Sequence, residues 1–184
     1  MHVVPLAIAA VKLVTPKRFG DHRGYFAETW SRRAFAAAGL DVDFVQDNHS
    51  LSRDKGTIRG LHFQLPPRAQ AKLVRVVAGA ILDVAVDLRR SSPTFGKHVT
   101  ATLSAEEGAC LFLPAGFAHG FATLEPDTEV IYKVSDVYAP DLDRGLAFDD
   151  PDLAIEWPVG AEQAIVSDKD RRQPRLAQLG PVFE

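Results

Sequence analysis

A histidine and a lysine lie ten residues apart in a strand-like stretch that contains no acidic residue. The stretch is "RGLHFQLPPRAQAKLVR", residues 59–75, and the two residues are His62 and Lys72. A histidine is largely neutral at pH 7 and can take up a proton, while an ammonium group stabilises negative charge on a nearby oxygen. The pair therefore suits removal of a proton from a carbon beside a carbonyl. Taken alone, His62 is equally explained as a core histidine bonded to the backbone.

A second histidine motif occurs in "FLPAGFAHGFAT", residues 112–123, where Pro114, Gly116 and His119 have the spacing Pro-x-Gly-x-x-His. This spacing resembles the second signature of the cupin superfamily, in which a returning strand carries a histidine into a β-barrel. A simple hairpin whose histidine only packs remains the alternative.

Metal-binding cupins have His-x-His followed by a glutamate in their first signature. This chain has His62-Phe63-Gln64 and then Lys72, a cation that would repel a divalent ion. We therefore expect no metal and no other cofactor, and a metal-dependent cupin isomerase or dioxygenase is the weakest alternative. The remaining histidines lack ligand spacing and are expected on the surface or at caps; they are residues 2, 22, 49 and 98.

Short segments with β-type patterning recur along the chain, separated by Gly, Pro, Asp or Ser. The predicted strands are 10–15, 43–49, 57–64, 72–78, 80–88, 97–103, 109–113, 117–123 and 128–135. In "ILDVAVDL", residues 81–88, alternation predicts one apolar face and a second face carrying Asp83. Only "SRRAFAAAGL" predicts a clear helix, with Ser31 as N-cap and Gly39 as the stop. We expect an all-β, cupin-like jelly-roll sandwich or barrel with few short helices, as one domain over residues 1–184.

The composition argues against several classes of partner. With 21 Lys and Arg against 24 Asp and Glu, the net charge is −3 and no long run of like charge occurs, so neither nucleic acid nor a membrane is an expected partner. Cys110 is the single cysteine, lies in an apolar run and suits a reducing compartment. The apolar N-terminal stretch is interrupted by Pro5 and Lys12 and lacks a basic region before it. A cytoplasmic protein is the expectation.

Seven sequence blocks in order resemble the dTDP-4-dehydrorhamnose 3,5-epimerase family, the metal-independent cupin-like epimerases. The blocks are "FGDHRGYFAETW", "FVQDNHS", "IRGLHFQ", "AKLVRVVAGAILDVAVDLRRSSPTFGK", "FLPAGFAHGF", "YKVSDVYAPDLDRGLAFDDPDLAIEWP" and "SDKD". The resemblance implies a jelly-roll homodimer acting on dTDP-4-dehydro-6-deoxy-D-glucose, a dTDP-4-keto-6-deoxyhexose. It implies inversion of C3 and C5 to give dTDP-4-dehydro-L-rhamnose.

The same resemblance assigns roles to individual residues. His62 would be the base, Asp170 its carboxylate partner, Lys72 the group that holds the enolate oxygen, and Tyr132 the proton donor on the opposite face. The implied binding residues are Phe19, Arg23, Glu28, Gln46, Asn48, Arg59 and His119. Tyr138 would lie near the sugar and influence whether C5 is epimerised as well as C3. The arginines, amides and aromatic ring of this set suit a nucleoside diphosphate.

Three questions stay open at this level. Sequence spacing does not decide whether Asp83 or Asp170 partners the catalytic histidine. An epimerase acting at only C3 or C5 of another dTDP-4-keto-deoxysugar would share nearly all the blocks. A non-catalytic sugar-nucleotide-binding cupin would also share the fold, although binding alone needs no base facing a proton donor.

Overall fold

Two antiparallel sheets face each other in the computed structural model, which describes residues 1–184. The strands are β1 (His2–Pro5), β2 (Lys12–Thr15), β3 (Arg18–Asp21), β4 (Gly24–Ala27), β5 (Gln46–Ser52), β6 (Ile58–Gln64), β7 (Lys72–Ala78), β8 (Ala80–Asp87), β9 (His98–Ser104), β10 (Cys110–Leu113), β11 (Phe117–Thr123), β12 (Thr128–Val134) and β13 (Asp143–Gly145). One sheet has the order β1-β2-β10-β7-β12-β5 and the other β13-β6-β11-β8-β9, while β3 and β4 form a separate hairpin. This architecture confirms the predicted all-β jelly-roll class.

Helical structure is limited to short segments. The helices are α1 (Arg32–Ala37) and α2 (Asp168–Arg171), with single 3-10 turns at Pro140–Leu142 and Leu176–Gln178. As predicted, Ser31 caps α1 by accepting the Ala34 N–H, and Gly39 follows the helix with a φ of +77°. No helix is long and apolar enough to span a membrane.

The space between the two sheets is apolar at one end and polar at the other. The apolar end is filled by buried side chains from both sheets, among them Val74, Leu111 and Phe117. Side chains alternate along a strand, so every second residue of β6, β7, β11 and β12 points into the space between the sheets. At the polar end these inward residues include His62, Lys72, His119 and Tyr132.

Both outer faces of the sandwich are also covered. Helix α1 packs Phe35 onto the six-stranded sheet, and residues after β13 cover the five-stranded sheet around Val84 and Val86. The prediction that only one face of β8 is apolar and buried was therefore incomplete, because both faces are buried. Its valines face the C-terminal segment, and Asp83 on the other face is fully buried between the sheets.

Most predicted strands match observed ones within one or two residues, but β5 begins three residues later than expected. The inward residues of β5 are Gln46, Asn48, Ser50 and Ser52, so the strand lacks the apolar alternation that the prediction used. Strands β1, β3, β4 and β13 were not predicted; each has only three or four residues, and most of these are exposed. The β3–β4 hairpin carries Phe19, Tyr25 and Phe26 on its surface, the last with 71% of its area exposed.

Candidate active site

His62 and Asp170 lie within hydrogen-bonding distance of each other at the polar end of the sandwich. His62 Nε2 lies 2.6 Å from Asp170 Oδ1. The Asp170 side chain is only 5% exposed, whereas 32% of the His62 side chain is open to the cavity. Burial alone would raise the pKa of Asp170, but the His62 contact and the hydrogen bonds from Gly60 and Ser167 lower it below its usual value. The carboxylate is thus kept ionised next to the imidazole.

Local structure explains why Asp170 points at His62. Ser167 caps α2 and its hydroxyl accepts the Asp170 N–H at 3.1 Å, which orients the first turn of the helix. The Gly60 N–H donates to Asp170 Oδ2 at 3.2 Å. Gly60 has a φ of +122°, and a Cβ there would lie 2.5 Å from the Gly120 Cα, so only glycine fits where β6 approaches β11.

A second histidine and carboxylate stand directly across the sheet from the first pair. His119 on β11 is in register with His62 on β6, and its Nε2 lies 2.5 Å from Asp83 Oδ1. The His119 side chain is only 7% exposed. The two aspartates are therefore partners of different histidines, since Asp170 contacts His62 and Asp83 contacts His119.

Lys72 is a buried ammonium group with no carboxylate in contact. Its Nζ donates to the His62 carbonyl oxygen at 3.3 Å, its one side-chain hydrogen bond. Burial lowers the pKa of Lys72 to about 8, although the more distant charges of Asp143 and Asp83 oppose that change. A buried cation without a direct counter-charge is costly, which makes such a group a candidate for function.

Tyr132 lies on β12 of the six-stranded sheet, so it and Lys72 face the two histidines from the opposite wall. Burial raises the pKa of Tyr132, with Arg59 acting against that change. The phenol is therefore protonated at neutral pH and can donate. A cavity of about 480 Å³ is lined by Tyr132, Lys72, His62 and His119, together with Asp170 and Arg59.

An adjoining cavity of about 270 Å³ shares His62, Lys72 and Tyr132 with the first. Its wall contains Gln46, Asn48 and Tyr138. The Tyr138 hydroxyl donates to Asp143 Oδ2 at 3.3 Å, and Lys169 pairs with the same carboxylate oxygen. This second cavity therefore combines amides, an aromatic ring and charges within reach of the lysine and histidine.

Arg59 lies at the edge of the larger cavity and is oriented by β5. Its Nε donates to Ser52 Oγ and its Nη2 to the Leu51 carbonyl, each at 3.0 Å. The guanidinium keeps further N–H groups for a ligand, as recognition of a phosphate requires.

Three of the twelve residues predicted for the site lie elsewhere on this chain. Phe19 and Arg23 border a separate hollow on the β3–β4 hairpin, where Arg23 pairs with Asp21, and Glu28 is exposed just after the hairpin. The other nine predicted residues line one or both of the two adjoining cavities.

Sequence reasoning missed Asp143, Lys169, Ser50 and Ser167, which also line these cavities. The Ser50 hydroxyl is buried without a hydrogen-bond partner in the chain, so it is available to a ligand. A usable signal was the polar series at alternate positions of β5. No group of three His, Cys, Asp or Glu side chains comes together in a metal-binding arrangement.

Comparison with known proteins gives consistent matches over nearly the whole chain. The family model described as dTDP-4-dehydrorhamnose 3,5-epimerase matches residues 5–178. A dTDP-4-dehydrorhamnose 3,5-epimerase from Sinorhizobium fredii is 53% identical over 184 residues, covering 100% of this chain and 94% of that protein.

Two solved structures are similar in fold. The Legionella pneumophila dTDP-6-deoxy-D-glucose-3,5-epimerase in complex with dTDP-4-keto-L-rhamnose has a TM-score of 0.93 and 40% identity, covering 100% of this chain and 98% of that one. A 3'-monoepimerase from Streptomyces bikiniensis in complex with dTDP-quinovose has a TM-score of 0.86 and 37% identity, with coverage of 96% and 88%.

Proposed function

The chain belongs to the dTDP-4-dehydrorhamnose 3,5-epimerase family, and we propose that it inverts C3 and C5 of dTDP-4-dehydro-6-deoxy-D-glucose to give dTDP-4-dehydro-L-rhamnose. Both carbons neighbour the C4 ketone, so each inversion needs a base on one face and a proton donor on the other. The observation that carries the proposal is the arrangement around one cavity. The His62–Asp170 pair belongs to one wall, while Lys72 and Tyr132 belong to the other.

His62 is the base in this proposal. When Nε2–H donates to Asp170, Nδ1 keeps its lone pair, and Nδ1 makes no hydrogen bond within the chain. Nδ1 takes the proton from carbon, the C–H electrons form the carbon–carbon double bond of the enolate, and the C4 oxygen receives the negative charge. Asp170 holds the required tautomer and stabilises the imidazolium that forms.

Lys72 and Tyr132 complete each inversion. The Lys72 ammonium stabilises the charge on the C4 oxygen, and the Tyr132 hydroxyl delivers a proton to the face opposite His62. The ketone is then restored, the tyrosinate regains a proton from water, and His62 loses its proton to water. The net reaction exchanges one hydrogen with solvent at each inverted carbon.

The other predicted residues bind the nucleotide and sugar. Arg59 engages the diphosphate, Gln46 and Asn48 hydrogen-bond the thymine edge or sugar hydroxyls, and His119 binds diphosphate or sugar while held by Asp83. Its lower exposure supports binding rather than proton removal by His119. Tyr138 lies beside the two amides and influences which carbons react.

The active form in this proposal is a homodimer in which one protomer's β3–β4 hairpin reaches the partner's cavity. Three predicted binding residues, Phe19, Arg23 and Glu28, lie away from the cavity of their own chain. The hairpin also exposes Phe26 and Tyr25, which is costly for an isolated chain and typical of an interface. A partner's hairpin would supply the second arginine for a diphosphate.

Mixing two inactive variants tests this arrangement. The Arg23→Ala protomer lacks the hairpin arginine, and the His62→Asn protomer lacks the base. In a mixed dimer, the hairpin of the His62→Asn protomer enters the cavity of the Arg23→Ala protomer, so one of the two sites is complete. An equal mixture should recover about a quarter of the wild-type sites, since half of the dimers are mixed. A sedimenting monomer, or a mixture with no recovered activity, would contradict the shared site.

Solvent deuterium exchange tests the epimerase itself. In D2O the wild type should incorporate deuterium at C3 and C5, as seen by NMR of the sugar. His62→Asn should lose exchange by about 100-fold to 10,000-fold, the usual contribution of a general base, while still binding dTDP. His49→Asn is the matched control, because His49 pairs with Glu129 at the exposed surface. Exchange at C3 alone would identify a single-carbon epimerase, and dTDP binding without any exchange would favour a sensor.

The proposed compartment is the cytoplasm. Cys110 is buried and unpaired, and burial raises the pKa of its thiol to about 11. The thiol is therefore a packing group in a chain that needs no disulfide. Fractionation of cells producing the protein would test the compartment directly.

A further inference from the structure

Gln64 makes hydrogen bonds on both sides of Tyr138. The Gln64 side-chain amide donates to the Val137 carbonyl at 3.0 Å and accepts the Ala139 N–H at 2.9 Å. It also donates to the Arg68 carbonyl at 2.6 Å. The amide therefore takes the place of a peptide group in a neighbouring strand. It holds the backbone of the loop that follows β12.

The position of Gln64 makes this contact rigid. Gln64 is 3% exposed and lies at the end of β6, two residues after His62 on the same face. Three of the four hydrogen bonds that a primary amide can make are used, all with backbone groups. The orientation of the amide is fixed by these partners, since the N–H of Ala139 needs an acceptor and the two carbonyls need donors.

Two other glutamines support the same loop, residues 136–139. Gln46 accepts the Tyr138 N–H at 2.9 Å, and Gln70 donates to the Asp136 carbonyl at 2.7 Å. The Tyr138 hydroxyl contacts Asp143, whose Cα is paired with that of Gln64 in the β13–β6 ladder. Tyr138 is thus held at its backbone and at its hydroxyl. The groups that hold it lie on β6, the strand that carries His62, or on strands beside the cavity.

We propose that Gln64 is a positioning residue that sets where Tyr138 stands in the substrate cavity relative to His62. This inference rests on the proposed function for its effect on substrate, but the mechanical coupling of Gln64 to Tyr138 does not. Gln64 borders the second cavity but is only 3% exposed, with its amide bonded to backbone groups, so its effect on substrate passes through the loop. Its loss should therefore matter only while the Tyr138 ring is present.

Gln64→Met provides the test, because methionine keeps the length of the side chain and removes all three hydrogen bonds. The loop should open more readily. Two of the lost bonds hold residues 136–139, to Val137 and Ala139. Hydrogen exchange of peptides spanning 136–139, followed by mass spectrometry, should therefore accelerate roughly 25-fold, since each lost bond typically changes such an equilibrium about fivefold. Gln70→Met, which removes one bond, should show a smaller acceleration. Gln178→Met is the control, because Gln178 accepts the Arg175 N–H far along the chain from this loop.

A double-mutant cycle separates positioning from general destabilisation. Gln64→Met should raise the KM of the 4-keto sugar about tenfold in the wild-type background, with little change in the dTDP dissociation constant, because dTDP lacks the sugar beside Tyr138. In a Tyr138→Ala background the same change should have no further effect on KM. Equal effects on KM in both backgrounds would overturn the proposal, and so would unchanged exchange of the 136–139 peptides. Wild-type protein that binds no dTDP would instead refute the proposed function, while the exchange experiment still decides the coupling.

Discussion

Replacing Lys72 with methionine should stabilise the protein while almost abolishing catalysis. Lys72 is buried without a carboxylate in contact, so the folded chain holds its proton weakly. Methionine has a similar length and needs no counter-charge. The substitution should therefore have two effects: it removes the free-energy cost of burying a charge, and it removes the group that holds the enolate charge.

The expected gain follows from the pKa of Lys72, about 8 in the folded chain against an ordinary 10.5. Each pKa unit is worth about 1.4 kcal/mol, so the buried proton costs the folded state about 3 kcal/mol at pH 7. Between pH 8 and 10.5 the unfolded chain still binds this proton and the folded chain does not. The free energy of unfolding of the wild type should therefore rise with pH between pH 8 and 10.5. Below pH 8 the full cost of burying the protonated Lys72 is present.

Urea unfolding at fixed protein concentration measures both parts of the prediction. Lys72→Met should be more stable than wild type by up to about 3 kcal/mol at pH 7, and the gap should narrow by pH 10. Its turnover should fall about 100-fold to 1,000-fold, the usual loss for one oxyanion donor. Lys97→Met, at an exposed lysine, should change stability little at either pH. A less stable Lys72→Met protein, or a gap that does not change with pH, would refute the reasoning.

The kcat/KM of the wild type should fall above about pH 8, because the pKa of Lys72 in the free protein is about 8 and the neutral amine holds an enolate poorly; a profile of kcat/KM that stays flat to pH 9.5 would contradict this. Asp170→Asn should lower turnover at least 100-fold with little change in KM, since the amide no longer holds the required tautomer of His62; steady-state kinetics check this, and an unchanged turnover is the contrary result. Arg59→Ala should raise KM about tenfold or more and reduce its dependence on salt, whereas Arg32→Ala, at an exposed arginine paired with Asp43, should not.

Much of the fold was predictable because its core strands alternate or are uniformly apolar. β11 was predicted with its observed bounds, and β7 likewise, since both carry apolar residues into the space between the sheets. The predicted start of β5 was three residues too early, because the inward residues of this strand are polar and give no apolar alternation. The second covered face of β8 was not predictable from alternation, since it depends on a segment some 60 to 100 residues later in the chain.

The candidate site was predictable in its residue types but not in its pairings. Lys72 and His62 are close in sequence and contact each other through the His62 carbonyl. Asp170 is 108 residues from His62, and Asp83 is 36 residues from His119, so no local pattern relates them. The His119–Asp83 pairing depends on the register of β11 and β8, and the His62–Asp170 pairing depends on where α2 begins. Both are features of the tertiary structure.

The charges around the cavity explain why Lys72 rather than another cation suits the developing enolate. Arg59 is bonded to β5, and Lys169 is paired with Asp143, so both already have oxygen partners. Lys72 has only a carbonyl contact at 3.3 Å, and its ammonium gains its first close anion when the C4 oxygen becomes negative. An interaction that is absent with the ketone and present with the enolate lowers the barrier instead of merely tightening binding. Burial lowers the pKa of Lys72 and no carboxylate in contact offsets it. The stability measured for Lys72→Met and the lost turnover should therefore both arise from this buried, unpaired ammonium group.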